Sequence, residues 1–173
     1  KSFESWPEFA LQEDGDYIKS VMKKRRDRIV DFARRYYKFR AKEVDVIGTE
    51  ERELFDIQRI SDHETLVRMY ELSKKGKKKD LLYERTFTSD ITKEIHLYGN
   101  GDDDEFRVSG QVNKGIKLRC IGGLGKDTFV DESKVRGLSK KTLFYDDKRN
   151  NSLTLGSEGK DKRTKRAIYN IYD

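Results

Sequence analysis

The chain has 173 residues, of which 40% are charged and 34% hydrophobic, with a net charge of +6 at neutral pH. That length suits one core, and nine Phe and nine Tyr bury enough area to exclude a disordered chain. Basic and acidic residues are nearly balanced, 38 against 32, so we expect no nucleic-acid partner. A single cysteine excludes an intrachain disulfide, and two isolated histidines lack the spacing of a zinc site.

The first segment predicts one long amphipathic helix, from about Asp16 to Ala41. Ile18, Met22 and Ile29 belong to an apolar stripe with three- and four-residue steps, and basic residues lie between them. We expect this stripe to cover an end or flank of a sheet, so that residues 1–42 form a helical cap. The basic face indicates a solvated surface, with a contact to phosphates or anionic lipid as the alternative.

A repeated unit follows from Glu43 onward. In each copy a turn residue precedes a large apolar residue by seven positions: Gly48 and Phe55, Gly99 and Phe106, Gly122 and Phe129, Asp146 and Leu153. Short alternating segments before and after each turn predict strands. Glycine suits such corners because it tolerates positive φ and leaves room for close stacking.

The spacing of the copies predicts a mainly β fold of stacked parallel β-helix or β-roll coils over residues 43–173. The last three turns begin at residues 99, 122 and 146, which is the spacing of single coils. Stacked coils would place Phe55, Phe106, Phe129 and Leu153 on one internal ladder. A longer interval separates the first two copies, and it predicts a β-hairpin excursion at about 58–92 with its tip at the lysine-rich KKGKKKD.

The stretch GGLGKDTF, from Gly122 to Phe129, fits the nonapeptide of calcium-binding β-rolls. A complete site needs oxygens from two neighbouring turns, and Asp102 and Asp104 in GDDDEF would supply the second half beside Asp127. Lys126 and the absence of a continued nine-residue period favour the other interpretation. In that interpretation Asp104 and Asp127 accept backbone N–H bonds and stack outward in water.

Several stretches carry a resemblance that covers nearly the whole chain: VDVIGT, LLYERTF and IHLYGNGDDDEF. They resemble the middle region of large Bacteroidetes-type envelope proteins, which join a calcineurin-like metallophosphoesterase to a surface-antigen, assembly-factor-type outer-membrane β-barrel. The resemblance implies an inter-domain piece of a longer chain at the outer membrane, on the periplasmic side. Its partners would be the adjacent domains and other envelope proteins, and it would reach the membrane only through the barrel.

The leading hypothesis is therefore a non-catalytic structural or interaction domain. The paired Asp and His motifs of the phosphoesterase are absent, and His96 should face outward, away from any cleft, because Ile95 and Leu97 face inward. A calcium-binding β-roll-like module and a polysaccharide-active β-helix enzyme are the alternatives. The enzyme would need paired carboxylates on an exposed strand face, whereas GDDDE places its acids on a turn.

Overall fold

The computed structural model describes residues 7–165. The chain divides into two compact units, a helical unit that ends at Arg40 and a β unit that begins at Ala41. The helical unit contains α1 (Glu8–Glu13) and α2 (Gly15–Arg40). Among the described residues, neither helix combines the length and the apolar character that a membrane crossing requires.

Helix α2 confirms the predicted long helix to within one residue at each end. Its apolar side chains are largely exposed: 51% for Met22, 61% for Ile29 and 64% for Phe32. The ring of Phe32 stacks at 6.5 Å on that of Tyr36, one turn further along the same helix. The role of this unit as a cap of the sheet stays a prediction.

The β unit contains thirteen strands among the described residues. They are β1 (Glu43–Ile47), β2 (Glu53–Arg59), β3 (Glu64–Leu72), β4 (Lys78–Thr88), β5 (Glu94–Asn100), β6 (Glu105–Ser109), β7 (Gln111–Val112), β8 (Lys117–Gly123), β9 (Thr128–Asp131), β10 (Lys134–Val135), β11 (Thr142–Tyr145), β12 (Ser152–Leu155) and β13 (Gly159–Asp161). A five-stranded sheet has the order β1-β5-β8-β11-β13, and a six-stranded sheet the order β12-β9-β6-β2-β3-β4. A third, two-stranded sheet pairs β7 with β10.

Parallel pairing dominates these sheets. Every pair in the five-stranded sheet is parallel, as is every pair from β12 to β2 in the six-stranded sheet. Strands β2, β3 and β4 pair antiparallel, which confirms the predicted hairpin excursion, and Gly76 at its tip has a φ of 69°. The mainly β class with an N-terminal helix is confirmed, whereas a parallel β-helix solenoid is not established by these separate sheets.

The core of the β unit is an aromatic ladder in register across strands. Phe55 pairs with Phe106, Phe106 with Phe129, and Phe129 with Leu153, as the repeat predicts. The three phenylalanines have no exposed surface, and Leu153 is half-buried. Ring centroids lie 4.6 Å apart for Phe55 and Phe106, and 5.1 Å apart for Phe106 and Phe129. Cys120 is a buried member of the same core, where it packs as a small apolar side chain.

Candidate functional site

Four buried carboxyl groups lie where the chain passes from the five-stranded to the six-stranded sheet. Glu53 begins β2, Asp104 precedes β6, Asp127 precedes β9, and Asp146 follows β11. Each is exposed by 1% or less. We call these four residues the acid column.

A ladder of hydrogen bonds fixes the acid column in register. The Glu53 N–H donates to Asp104 Oδ1 at 2.8 Å, and the Asp104 N–H donates to Asp127 Oδ1 at 2.9 Å. The Asp127 N–H then donates to Asn151 Oδ1 at 2.8 Å. The side chains of Asp104, Asp127 and Asn151 thus each bind the backbone of the equivalent residue in the preceding copy of the repeat. The prediction that Asp104 and Asp127 accept backbone N–H bonds is confirmed, although the donors lie in the preceding copy and not in their own turns. The prediction that they stack outward in water is wrong, because both are buried.

Glycine in the repeat makes room for the acids. A Cβ at Gly99 would lie 2.2 Å from Asp104 Oδ2, and one at Gly122 would lie 2.3 Å from both Asp127 Oδ2 and Asp146 Oδ2. Neither glycine has a positive φ. The expectation that corner geometry requires these two glycines is therefore wrong, whereas the expectation of close stacking is confirmed. The glycine and the acid five positions later form one packing unit.

Burial shifts the acid column toward its protonated form. The pKa of Asp104 is raised from 3.8 to about 9. Desolvation is the largest cause, the charges of Asp127 and Glu53 add to the rise, and the hydrogen bond from the Glu53 N–H opposes it. Desolvation, together with a hydrogen bond to Asp127, raises the pKa of Asp146 to about 8. The pKa values of Asp127 and Glu53 are also raised, chiefly by burial. We therefore expect Asp104 and Asp146 to be protonated near neutral pH.

Asn151 occupies the position of the repeat that Asp104 and Asp127 occupy in earlier copies, and it shows which hydrogen-bonding groups that position needs. Its Oδ1 accepts the Asp127 N–H, and its Nδ2 donates to the Asp147 carbonyl at 3.2 Å. A protonated Asp104 presents the same combination of one acceptor and one donor. Asp104 Oδ2 is buried without a hydrogen-bond partner in the described structure, so an ionised Asp104 would leave a buried charge uncompensated.

The residues predicted to hold calcium are only partly brought together. Asp104 and Asp127 occupy neighbouring rungs of the column, but Asp102 is exposed, has a φ of 60°, and accepts the Asp103 N–H at 2.8 Å. Asp103 Oδ1 accepts the Lys126 N–H at 2.9 Å, and this hydrogen bond ties two neighbouring turns together. Within residues 7–165, no group of three or more His, Cys, Asp and Glu side chains is arranged to hold a metal. Calcium binding stays a prediction.

The opposite corner of the core contains a buried arginine. Arg59 ends β2, is 2% exposed, and donates through Nη1 to the Ile116 carbonyl at 2.8 Å. Its Nη2 donates to the Lys141 carbonyl at 3.3 Å and to Thr142 Oγ1 at 3.2 Å. Burial lowers the pKa of Arg59, and the charges of Asp131 and Glu158 oppose that shift. We call Arg59 with these two carboxylates the arginine corner.

A cavity of about 290 Å³ lies on the outer face of the five-stranded sheet. It is lined by Glu43, Glu94, His96, Tyr98, Arg119, Ile121 and Tyr145. Ile95 and Leu97 point into the core, so His96 and Tyr98 between and after them point outward. The expectation that His96 faces outward is confirmed, but the expectation that it faces away from any cleft is wrong. We call this feature the outer-face cavity.

Glu94 organises the polar side of the outer-face cavity. It accepts hydrogen bonds from Arg119 Nε and from His96 Nε2, the latter at 3.1 Å, and it pairs with Lys117 Nζ at 3.1 Å. These bonds lower the pKa of Glu94 although its partial burial alone would raise it. The other ring nitrogen of His96 lies 3.0 Å from Asp45 Oδ1. Five charged or titratable side chains thus hold one another in place.

Three further lining residues, Tyr98, Ile121 and Tyr145, form a row across adjacent strands, and Ile47 extends this row beyond the lining. Ile47 pairs with Tyr98, Tyr98 with Ile121, and Ile121 with Tyr145. The Tyr145 hydroxyl accepts from Arg119 Nη1 at 2.8 Å, and the guanidinium lies 5.6 Å from the Tyr145 ring centroid. Sequence reasoning missed this cavity, although the same alignment that superposes the phenylalanines also superposes these outward positions.

No protein-family model, curated protein or solved structure matches this chain.

Proposed function

We propose that this chain is a non-catalytic structural and interaction domain of a larger cell-envelope protein. In that protein it links a phosphoesterase-like region to an outer-membrane barrel, and its partners are the adjacent domains and other envelope proteins. The observation that carries the proposal is the register of the buried ladders. The repeat uses its aromatic, acidic and glycine positions to contact the neighbouring copy, which is the pattern of a stacked scaffold.

The finer architecture that fits this role is a stack of parallel β-helix or β-roll coils. Strands of the five-stranded, six-stranded and two-stranded sheets recur in that order as β5-β6-β7 and β8-β9-β10. Equivalent positions of the repeat are 23 residues apart between Asp104 and Asp127, and 24 apart between Asp127 and Asn151. The separation of 51 between Glu53 and Asp104 contains the antiparallel hairpin. A chain that returns to one sheet after each such interval advances by one strand per coil.

Cell fractionation tests the envelope role. Antibodies raised against the purified chain should detect an envelope-associated product larger than this 20.4-kDa segment. We propose the periplasmic side of the outer membrane as its location, so a soluble cytoplasmic product of about the same mass would contradict the proposal.

Turnover assays test the non-catalytic part. The purified chain, with Mn²⁺ and then Ca²⁺ added, should hydrolyse neither a chromogenic phosphoester nor a chromogenic glycoside. His96→Ala is the control variant, since His96 lies in the outer-face cavity beside two carboxylates. Turnover in the parent chain that disappears in this variant would overturn the non-catalytic assignment and favour the polysaccharide-active alternative.

A calcium-binding role remains a second candidate because carboxyl oxygens of Asp104 and Asp127 lie buried on neighbouring rungs. Calcium would need both groups ionised, together with several further oxygens. Thermal unfolding of the chain with millimolar Ca²⁺, and again with a chelator, distinguishes a calcium-bound column from a protonated one. A Tm that rises with Ca²⁺ in the parent chain but not in Asp127→Asn would favour calcium over protons.

A further inference from the structure

We propose that the outer-face cavity binds a saccharide, through its Tyr98, Ile121 and Tyr145 row and the polar groups held around Glu94. The inference goes beyond the scaffold role, which depends on the inner ladders and not on this outer surface. The cavity volume of about 290 Å³ lies at the lower end of ordinary small-ligand sites, a size that suits one sugar ring of a longer chain.

The charges of the cavity argue against an ionic ligand. Glu94 is surrounded by Arg119, Lys117 and His96, and Asp45 lies on the other side of the His96 ring. Opposite charges are thus paired around Glu94, and a charged ligand would have to displace one partner from another there. The exposed Glu43 at the rim adds a carboxylate that disfavours an anion. A neutral ligand that both donates and accepts hydrogen bonds meets no such cost.

The apolar surface selects among neutral polar ligands. Tyr98 and Tyr145 flank Ile121 on adjacent strands, and Ile121 is only 6% exposed, so it forms the floor between two amphipathic rings. Aromatic rings offer a flat apolar face and a polar hydroxyl at low entropic cost. A sugar ring has the complementary surfaces, because its C–H groups form apolar faces and its hydroxyls lie around the edge.

The shape of the row favours an oligosaccharide over a single sugar. Strands in a sheet are about 4.8 Å apart, so the four-residue row from Ile47 to Tyr145 spans about 14 Å. Ile47 at one end is 41% exposed. A neutral hexasaccharide bound across the strands would cover this row. At one edge of the row, Glu94 would accept and Arg119 would donate hydrogen bonds to the hydroxyls of the sugar.

The test uses the full 173-residue chain and a panel of neutral hexasaccharides: β-1,4-glucan, β-1,3-glucan, β-1,4-xylan and N-acetylglucosamine oligomers. Calorimetry measures affinity, and amide NMR shifts locate the bound ligand. We expect one of these probes to bind and to shift the amides of Tyr98, Arg119 and Tyr145. Tyr98→Ala should weaken that binding by at least about fivefold, the value of one lost aromatic contact.

Tyr17→Ala is the matched control, because Tyr17 is an exposed tyrosine on α2 outside the cavity. It should leave affinity unchanged, and unchanged circular dichroism and Tm in Tyr98→Ala should show that the scaffold is intact. The saccharide proposal is overturned if a folded chain binds no probe at millimolar concentration, or if Tyr98→Ala and Tyr17→Ala bind equally well. Selective binding of inorganic phosphate at the cavity would also overturn it. None of these results touches the scaffold role.

Discussion

The two buried polar corners of the β unit stabilise charge by different means. The acid column brings four carboxyl groups together with no cationic side chain among its hydrogen-bond partners in the described structure, and burial raises their pKa values. The arginine corner keeps its cation, which donates to two backbone carbonyls and one hydroxyl. The first corner is neutralised by protons, and the second by fixed dipoles and nearby carboxylates.

This difference makes one corner sensitive to pH and the other insensitive in the physiological range. An arginine stays protonated throughout that range even when burial lowers its pKa. Asp104 and Asp146 would titrate near pH 9 and pH 8 instead of near 4, and the pKa values of Asp127 and Glu53 are shifted in the same direction. The arginine corner should therefore stabilise the stacked core at every physiological pH. The acid column should stabilise it only while its carboxyl groups are protonated.

The aromatic ladder lies between the two corners, and the free energy lost when it is truncated is the reference for the losses expected at each corner. Phe129→Ala should lower the free energy of unfolding by about 3–5 kcal/mol, because it removes a fully buried ring that contacts Phe106 and Phe144. Leu153→Ala, at the half-buried end of the ladder, should cost less. Denaturant titrations measure the free energy of unfolding of both variants. Equal losses of that free energy in Phe129→Ala and Leu153→Ala would contradict a ladder centred on Phe129.

The arginine corner should be the more costly of the two to break. Arg59→Ala should cost about 2–4 kcal/mol, because it leaves buried acceptors unsatisfied and removes the cation beside Asp131 and Glu158. Arg59→Lys, which keeps the charge but loses the fork of donors, should cost less. Equilibrium unfolding at pH 7 compares them, and an Arg59→Ala variant as stable as the parent chain would refute this role for the guanidinium.

The acid column should tolerate loss of charge but not loss of its acceptor. Asp104→Ala should cost about 1–3 kcal/mol, because the Glu53 N–H is left buried without a partner. Asp104→Asn should stay within about 0.5 kcal/mol of the parent chain, since Asn151 already fills the equivalent position. Thermal unfolding at pH 7 without added metal checks both. If asparagine proves as damaging as alanine, the column needs an ionised carboxylate.

Stability should fall as the pH rises. From about pH 4 to pH 9 the folded column binds more protons than the unfolded chain, so the free energy of unfolding decreases through that window. Glu94, with its lowered pKa, acts in the opposite direction only below its ordinary value of 4.5. Between pH 5 and pH 9 the Tm should drop by on the order of 5 °C or more, and Asp104→Asn should reduce the drop. A flat profile would contradict the raised pKa values.

The repeat made the inner register predictable because every copy has the same spacing. Phe55, Phe106 and Phe129 superpose directly, and Asp104 and Asp127 then align with them. The spacing could not show whether these two acids are buried or exposed. An acid on a turn ordinarily faces water, and only the space left by Gly99 and Gly122 shows that these acids are buried. A glycine five positions before an acid was the available signal.

The outer-face cavity was less predictable for a different reason. Alternation indicates which residues face outward, but it does not indicate which outward residues meet across strands that are 23 to 51 positions apart. His96, Arg119 and Tyr145 become neighbours only once the parallel register is known. Register derived from the inner phenylalanines fixes the outer face as well, so the cavity follows from the ladder.

Carboxyl ¹³C titration of the metal-free chain, with Asp104 assigned by its loss in Asp104→Asn, tests most directly whether buried protons hold the column. Asp104 should titrate with a midpoint near its pKa of about 9, with a second transition near 8 for Asp146. An Asp104 carboxylate already ionised at pH 6 would contradict the protonated column, and would leave calcium as the better explanation of its buried oxygens.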